Sequence, residues 1–163
     1  MKLILEKPYM EFSSAHFLVG ESFCEKLHGH NYRVKIHLEG EPRKDKMIIN
    51  FLRLKDITKE LCKEYDHRFL LPLNNSSLKI IEENESIKVE TMEKKVYVFP
   101  KSDVVQLSIE DSTCEELARD YCRKLINKLE EKGELKWGNL KLISVTIEEA
   151  EGQGATETKK LAS

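Results

Sequence analysis

Two histidines separated by one glycine stand at the head of an alternating stretch, and they constrain this chain more than any other feature. In Cys24-Glu25-Lys26-Leu27-His28-Gly29-His30-Asn31-Tyr32, His28 and His30 are two residues apart. On an extended strand both rings therefore project from the same face. Gly29 has no side chain and lets another backbone or a ligand come close. The run continues as Tyr-Arg-Val-Lys-Ile-His-Leu-Glu, the pattern of a half-buried antiparallel strand over residues 28–39. Tyr32, Val34, Ile36 and Leu38 are expected on one face, with the two histidines on or near the other. His16, in Phe12-Ser13-Ser14-Ala15-His16-Phe17, ends a second expected strand, and pairing of the two strands would bring it over the same spot. Three neutral imidazoles with a fourth position left open are the ligand set of a catalytic zinc site. Other transition metals also accept imidazole, but Zn2+ is the expected ion. His37 matches no motif position and is read as a non-ligand. Cys24 would stand beside the metal, where a dication and an imidazole favour the thiolate. The plainer reading of Cys24 is a small buried apolar residue.

The totals narrow the class. A chain of 163 residues reads as a single domain, 1–163, with room for a substantial core. With 40% hydrophobic and 34% charged residues it suits a globular protein with a charged surface. A formal net charge of −2 gives no reason to expect nucleic acid as a partner. No apolar run is long enough to cross a membrane, and the N-terminus is too short an apolar patch for a signal peptide. Four cysteines without a C-x-x-C pair argue against a disulfide framework or a zinc ribbon, so a reduced, cytoplasmic protein is expected.

Along the chain, residues 2–14 read as a first strand and 18–27 as the loop carrying Cys24. Asn50 is a good N-cap for an amphipathic helix over 51–65, with Phe51, Leu54, Ile57 or Thr58, Leu61 and Tyr65 on its apolar side. Residues 75–110 read as an inserted loop and hairpin, with strands near 87–91 and 95–99. Ser112 and Glu115 have capping-box spacing, and Leu117, Ala118, Tyr121, Cys122, Leu125, Ile126 and Leu129 form the stripe of a second helix that Gly133 stops. Cys62, Cys114 and Cys122 fall on helix stripes as core residues. Residues 140–149 read as a strand with Leu142, Ser144, Thr146 and Glu148 on one face, followed by a turn and a short final strand. The fold class is α+β, with two helices on one face of an antiparallel sheet.

The Cys/His block resembles that of the 6-pyruvoyltetrahydropterin synthase and 6-carboxytetrahydropterin synthase family, and further segments resemble it in the family's order. Met47-Ile48-Ile49-Asn50-Phe51-Leu52-Arg53-Leu54-Lys55 is similar to the opening of its first helix, although the family usually has aspartate at the position of Asn50. Asp66-His67 is similar to its acid–histidine pair, Ser112-Thr113-Cys114-Glu115-Glu116-Leu117-Ala118 to the start of its second helix, and Thr146-Ile147-Glu148-Glu149 to its pterin-anchoring strand. The resemblance implies the tunnelling fold: a four-stranded antiparallel sheet with two helices, assembling through the sheets into a barrel. It implies a homo-oligomer, trimer or hexamer, with sites between neighbouring chains.

The implied substrate is 7,8-dihydroneopterin triphosphate. Cys24 would be the general base, with His67 as acid–base group oriented by Asp66. Glu148 would hold the pterin, with Glu115 and Thr113 assisting and Glu149 as fallback if the register slips by one. The C-x-x-x-H-G-H spacing resembles the 6-carboxytetrahydropterin synthases of the deazaguanine pathway, which serves queuosine and archaeosine, more than the pyruvoyl synthases. A glutamate in E-x-x-H-G-H is associated within the family with cleavage to 6-hydroxymethyl-7,8-dihydropterin. This chain has both Cys24 and Glu25, as a dual type would, although Glu25 also reads as a surface charge beside Lys26. A carbon–oxygen or carbon–carbon lyase is thus expected, and a non-catalytic pterin- or metal-binding protein is the alternative from another class.

Overall fold

A computed structural model describes residues 1–20 and 22–161. Its strands are β1 (Lys2–His16), β2 (His28–Gly40), β3 (Arg68–Pro72), β4 (Leu78–Glu82), β5 (Ser86–Thr91), β6 (Val96–Pro100), β7 (Val104–Leu107), β8 (Leu140–Ala150) and β9 (Gln153–Lys160). Its helices are α1 (Phe51–Tyr65) and α2 (Cys114–Glu131). The main sheet has six strands in the order β7-β3-β1-β2-β8-β9. This corrects the expected four-stranded antiparallel sheet. β1, β2, β8 and β9 are the antiparallel four, but β3 runs parallel to β1, and β7 parallel to β3. The class remains α+β.

One face of this sheet meets both helices. Leu54, Ile57, Leu61 and Tyr65 of α1 and Leu117, Tyr121, Leu125 and Leu129 of α2 pack with Tyr32, Val34, Ile36 and Leu38 of β2 and Ile143, Val145 and Ile147 of β8. Phe51, expected on the apolar side of α1, is 43% exposed. Asn50 caps α1 as expected, its side chain accepting from the Leu52 N–H at 2.9 Å. The cap of α2 is one residue later than expected. Thr113 accepts from the Glu116 N–H, so the capping residues are Thr113 and Glu116 rather than Ser112 and Glu115. β1 defeats a simple reading because its register shifts between Glu6 and Glu11, around Pro8. That bulge moves the buried positions from Leu5 to Met10, Phe12, Ser14 and His16, reversing their parity.

The insertion is more than a hairpin. β5 and β6 form the expected pair, and β4 adds a third strand in the order β4-β5-β6. This small sheet packs on a second core of Phe17, Phe69, Leu71, Ile87, Val89 and Val104. β3 is thereby covered on both sides: Leu70 enters the main core, while Phe69 and Leu71 enter the second.

Candidate functional site

Strand pairing builds the centre. β1 and β2 are antiparallel with His16 directly opposite His28 and Ser14 opposite His30. His28 and His30 share the parity of Tyr32, Val34, Ile36 and Leu38, so they lie on the helix-facing side. This corrects the expectation that the two groups take opposite faces. The ring centroids are 4.5 Å apart for His16 and His28, 5.2 Å for His16 and His30, and 5.0 Å for His28 and His30. One ligand nitrogen from each ring falls within 4.8 Å of the others. Gly29 is needed for this approach, since a Cβ there would stand 3.0 Å from the Ser14 carbonyl oxygen.

Each ring is turned so that a nitrogen is free for a ligand. His16 Nδ1 lies 3.0 Å from the Ser112 carbonyl oxygen, and His28 Nδ1 lies 2.7 Å from the Lys26 carbonyl oxygen. A carbonyl only accepts, so both Nδ1 atoms carry the proton and both Nε2 atoms keep a lone pair. Burial lowers the His16 pKa to about 4, and His28 beside it adds to the effect, so the ring is neutral near pH 7. Its Nε2 is buried with no hydrogen-bond partner. A cation set among the three rings would satisfy that nitrogen, and the donor set fits Zn2+.

Ser112 is the residue that sequence reading missed. It is fully buried, its hydroxyl donates to the Phe17 carbonyl at 3.2 Å, and its carbonyl orients His16 from 96 positions away. No local pattern signals such a contact. Tyr32 stands edge-on to His30 and His16 at 5.5 and 6.0 Å, its buried hydroxyl without a partner. Behind it the Cys114 thiol donates to Glu149 at 3.6 Å. Burial, then Glu149, push that thiol up to about 12.

The remaining expected residues are spread around this centre. Cys24 is half-buried in a 3-10 turn at Ser22–Glu25, its carbonyl accepting from the Leu18 N–H at 2.9 Å. The Glu25 carboxylate accepts from the Gly20 N–H at 2.9 Å and meets Lys95 at 3.4 Å. Asp66 and His67 touch, with His67 Nδ1 2.9 Å from Asp66, and both are tied to β1 through the Ser13 N–H and carbonyl. The contacts from Ser13 and His67 hold the Asp66 carboxyl below its ordinary value despite partial burial. His67 has a φ of +56° and lines an open cavity of about 500 Å³ with Ser13, Ala15, His30, Asn31 and Phe69. Ser13, Ala15 and Asn31 have the strand parity opposite to the triad, so the cavity lies chiefly on that side, with His30 at its border. Glu148 also faces that way, paired with Lys35 at 2.7 Å. Glu149 sits on the helix side instead, with the parity of Ile143, Val145 and Ile147 and in contact with Cys114 of α2. Thr113 caps α2, and Glu115 is exposed on its first turn. One chain thus gathers the three histidines but does not bring Asp66, His67 or Glu148 onto their face.

Fold and centre together define an α+β protein with a three-histidine site set between paired strands. The chain belongs to the 6-pyruvoyl tetrahydropterin synthase family, whose sequence profile matches residues 7–160. It is 36% identical over 153 residues to a Methanocaldococcus jannaschii protein provisionally named a 6-carboxy-5,6,7,8-tetrahydropterin synthase, covering 93% of this chain and 91% of that one. The crystal structure of 6-pyruvoyl tetrahydropterin synthase from Plasmodium vivax superposes with a TM-score of 0.92 at 35% identity, over 99% of this chain and 98% of that one. Two further P. vivax structures, each 34% identical with the same TM-score of 0.92 and the same coverage of 99% and 98%, carry alanine or cysteine in place of a glutamate described there as a catalytic residue. No helix among the described residues is long and apolar enough to cross a membrane.

Proposed function

We propose that this enzyme of the tetrahydropterin synthase family is a zinc-dependent lyase. It takes 7,8-dihydroneopterin triphosphate and water to 6-carboxy-5,6,7,8-tetrahydropterin, acetaldehyde and triphosphate, or converts the same substrate to 6-pyruvoyltetrahydropterin and triphosphate. The observation that carries this reading is the buried, unpartnered Nε2 of His16 gathered with the other two rings. The near full-length likeness to the M. jannaschii protein supports the carboxy product.

When bound, zinc supplies a Lewis acid at the side-chain hydroxyls of the substrate. His16, His28 and His30 hold it. Cys24 removes a proton from the substrate side chain, and His67, oriented by Asp66, relays protons. Glu148 accepts the pterin amino and ring N–H groups side by side, with Glu115 and Thr113 assisting. Because Asp66, His67 and Glu148 face away from their own triad, they serve a site completed by another copy, in a trimer or hexamer. The cellular setting is cytoplasmic, in the deazaguanine pathway to queuosine or archaeosine.

A second reading makes Glu25 the base. It is favoured by the catalytic glutamate of the P. vivax protein. Glu25 would take the proton of the second side-chain hydroxyl, and the bond between the first and second side-chain carbons would break. Its electron pair would pass to the first carbon, which is then protonated. The products are 6-hydroxymethyl-7,8-dihydropterin and the triphosphorylated aldehyde. A non-catalytic pterin- or metal-binding protein would need neither Cys24 nor the Asp66–His67 pair.

The test is to incubate zinc-loaded protein with dihydroneopterin triphosphate and identify the pterin product by mass, for wild type, Cys24→Ala and Glu25→Ala. Loss of the carboxy product with Cys24→Ala supports the first reading. Survival of a hydroxymethyl product that Glu25→Ala removes supports the second. A wild type that binds zinc and pterin without turnover refutes both.

A further inference from the structure

The inserted sheet reaches the loop that carries both candidate bases. Its β5–β6 turn is stiff. The Thr91 N–H donates to the Lys95 carbonyl at 3.0 Å, and the Lys95 N–H donates to the Thr91 hydroxyl at 3.2 Å. Lys94 takes a φ of +64° and donates its N–H to the Thr91 carbonyl at 2.9 Å. The turn faces the Cys24 loop across a small pocket lined by Leu18, Val19 and Glu25 on one side and Thr91 and Lys95 on the other. Phe17 stacks on Tyr97 at 5.1 Å, which fixes the insertion to the end of β1. From this platform the Lys95 ammonium meets Glu25 at 3.4 Å and Glu93 at 2.8 Å.

Both oxygens of Glu25 are therefore occupied, one by the Gly20 N–H and one by Lys95. Neither belongs to the group of ligand atoms formed by the three histidines. Glu25 is well covered, with a side-chain exposure of 19% against 54% for Glu93, so its pairing is the better shielded of the two. The neighbouring cation Lys26 is turned to the Phe23 ring at 5.3 Å and does not compete for Glu25.

We propose that Lys95 is a positioning residue that holds the Glu25 carboxylate off the metal centre, leaves proton abstraction to Cys24, and so sets the ratio of the two pterin products. This rests on the reading that the site acts on dihydroneopterin triphosphate. The chemistry is that of the two routes above; Lys95 touches neither substrate nor metal and acts through Glu25.

The test compares Lys95→Met and Lys95→Arg with wild type in the zinc-loaded protein. A partly exposed ion pair is worth a factor of about two to five, so Lys95→Met raises hydroxymethyl over carboxy product by about that factor. Lys95→Arg restores the wild-type ratio. Glu25→Ala cancels the change in a Lys95→Met background, whereas a merely structural role for Lys95 would lower both products together and leave their ratio alone. A second readout needs no turnover. The Gly20 amide signal in 1H–15N spectra shifts in Glu25→Ala and, on this proposal, in Lys95→Met but not in Lys95→Arg. An unchanged product ratio, or a Gly20 signal indifferent to Lys95→Met, overturns the proposal. A wild type without pterin turnover sinks the substrate reading, while the Gly20 signal still decides whether Lys95 holds Glu25.

Discussion

The two faces of β2 carry opposite chemistry on one backbone. On the helix side stand His28, His30, Tyr32, Val34, Ile36 and Leu38, and the polar atoms near the histidines are buried and short of partners. On the other side stand Asn31, Arg33, Lys35, His37 and Glu39, where polar groups find one another: Lys35 reaches both Glu6 and Glu148, and Ser13 reaches Asn31. The difference separates two ways of preparing a site. The triad is prepared by tying the Nδ1 atoms of His16 and His28 to backbone carbonyls and leaving the His16 Nε2 without a partner, while burial keeps His16 neutral. The opposite face is prepared by charge, held in ion pairs that solvent reaches. The first kind is set by strand register within one chain, while the second awaits whatever that face meets.

The largest effect should come from crossing this divide along β2. If the triad holds zinc as proposed, His28→Ala or His30→Ala removes one of three ligands, and metal analysis should fall from about one zinc per chain to almost none. Turnover should fall by about a thousandfold or more with it. His37→Ala, on the other face, should leave the zinc content unchanged. Loss of zinc with His37→Ala would break the comparison outright.

Thiol chemistry sharpens the same divide. Burial pushes Cys62 and Cys122 up to about 11 and Cys114 up to about 12, from an ordinary value near 9. A pKa two units higher leaves about a hundredfold less thiolate at neutral pH. An alkylating reagent on the native protein should therefore modify the half-buried Cys24 before these three buried thiols, as read by peptide mass mapping. Early modification of Cys114 would mean that the region behind the triad opens to solvent.

The two cores should differ less sharply. Leu117→Ala empties a fully buried position between α2 and the sheet, and should cost about 2–5 kcal/mol in denaturant unfolding. Val98→Ala, 61% exposed on β6, should stay within about 0.5 kcal/mol. A large cost at Val98 would show that the outer face of the insertion is covered by something else.

How much of this was legible follows the same physics. Where one face is buried and the other wet, period-two or helical patterning survives in the sequence, so β2, β8, α1 and α2 were readable to within a residue or two. The triad was readable because H-x-H fixes two ligands locally and only one strand pairing was needed for the third. β3 was not, because burial on both faces turns Phe69-Leu70-Leu71 into a plain apolar run with no alternation. Its parallel pairing with β1 joins Ser14 to Arg68 across the intervening helix, and nothing local encodes it. Adjacent residues also differ in face: Glu148 and Glu149 are one position apart, and strand alternation sends them to opposite sides. The Ser112 contact and the clasp between Lys95 and Glu25 are likewise long-range facts of assembly.

The smallest expected effects lie on the charged face, and they ask whether its pairs exist for stability or for exchange. Lys35 is held protonated chiefly by Glu148 and then Glu6, but all three are reached by solvent, and such pairs contribute little to folding. Lys35→Met should change unfolding stability by less than about 1 kcal/mol. If Glu148 anchors the pterin, the same substitution frees the acceptor that the ring needs, and KM should fall slightly while kcat holds. Glu148→Gln should do the reverse, raising KM by about tenfold through loss of a charged acceptor, with zinc content intact. Opposite movements of KM in the two variants would identify Lys35 as a stand-in for substrate. Parallel movements would mean that the pair is a structural tie, and the anchoring acid would have to be sought on the helix side, at Glu149.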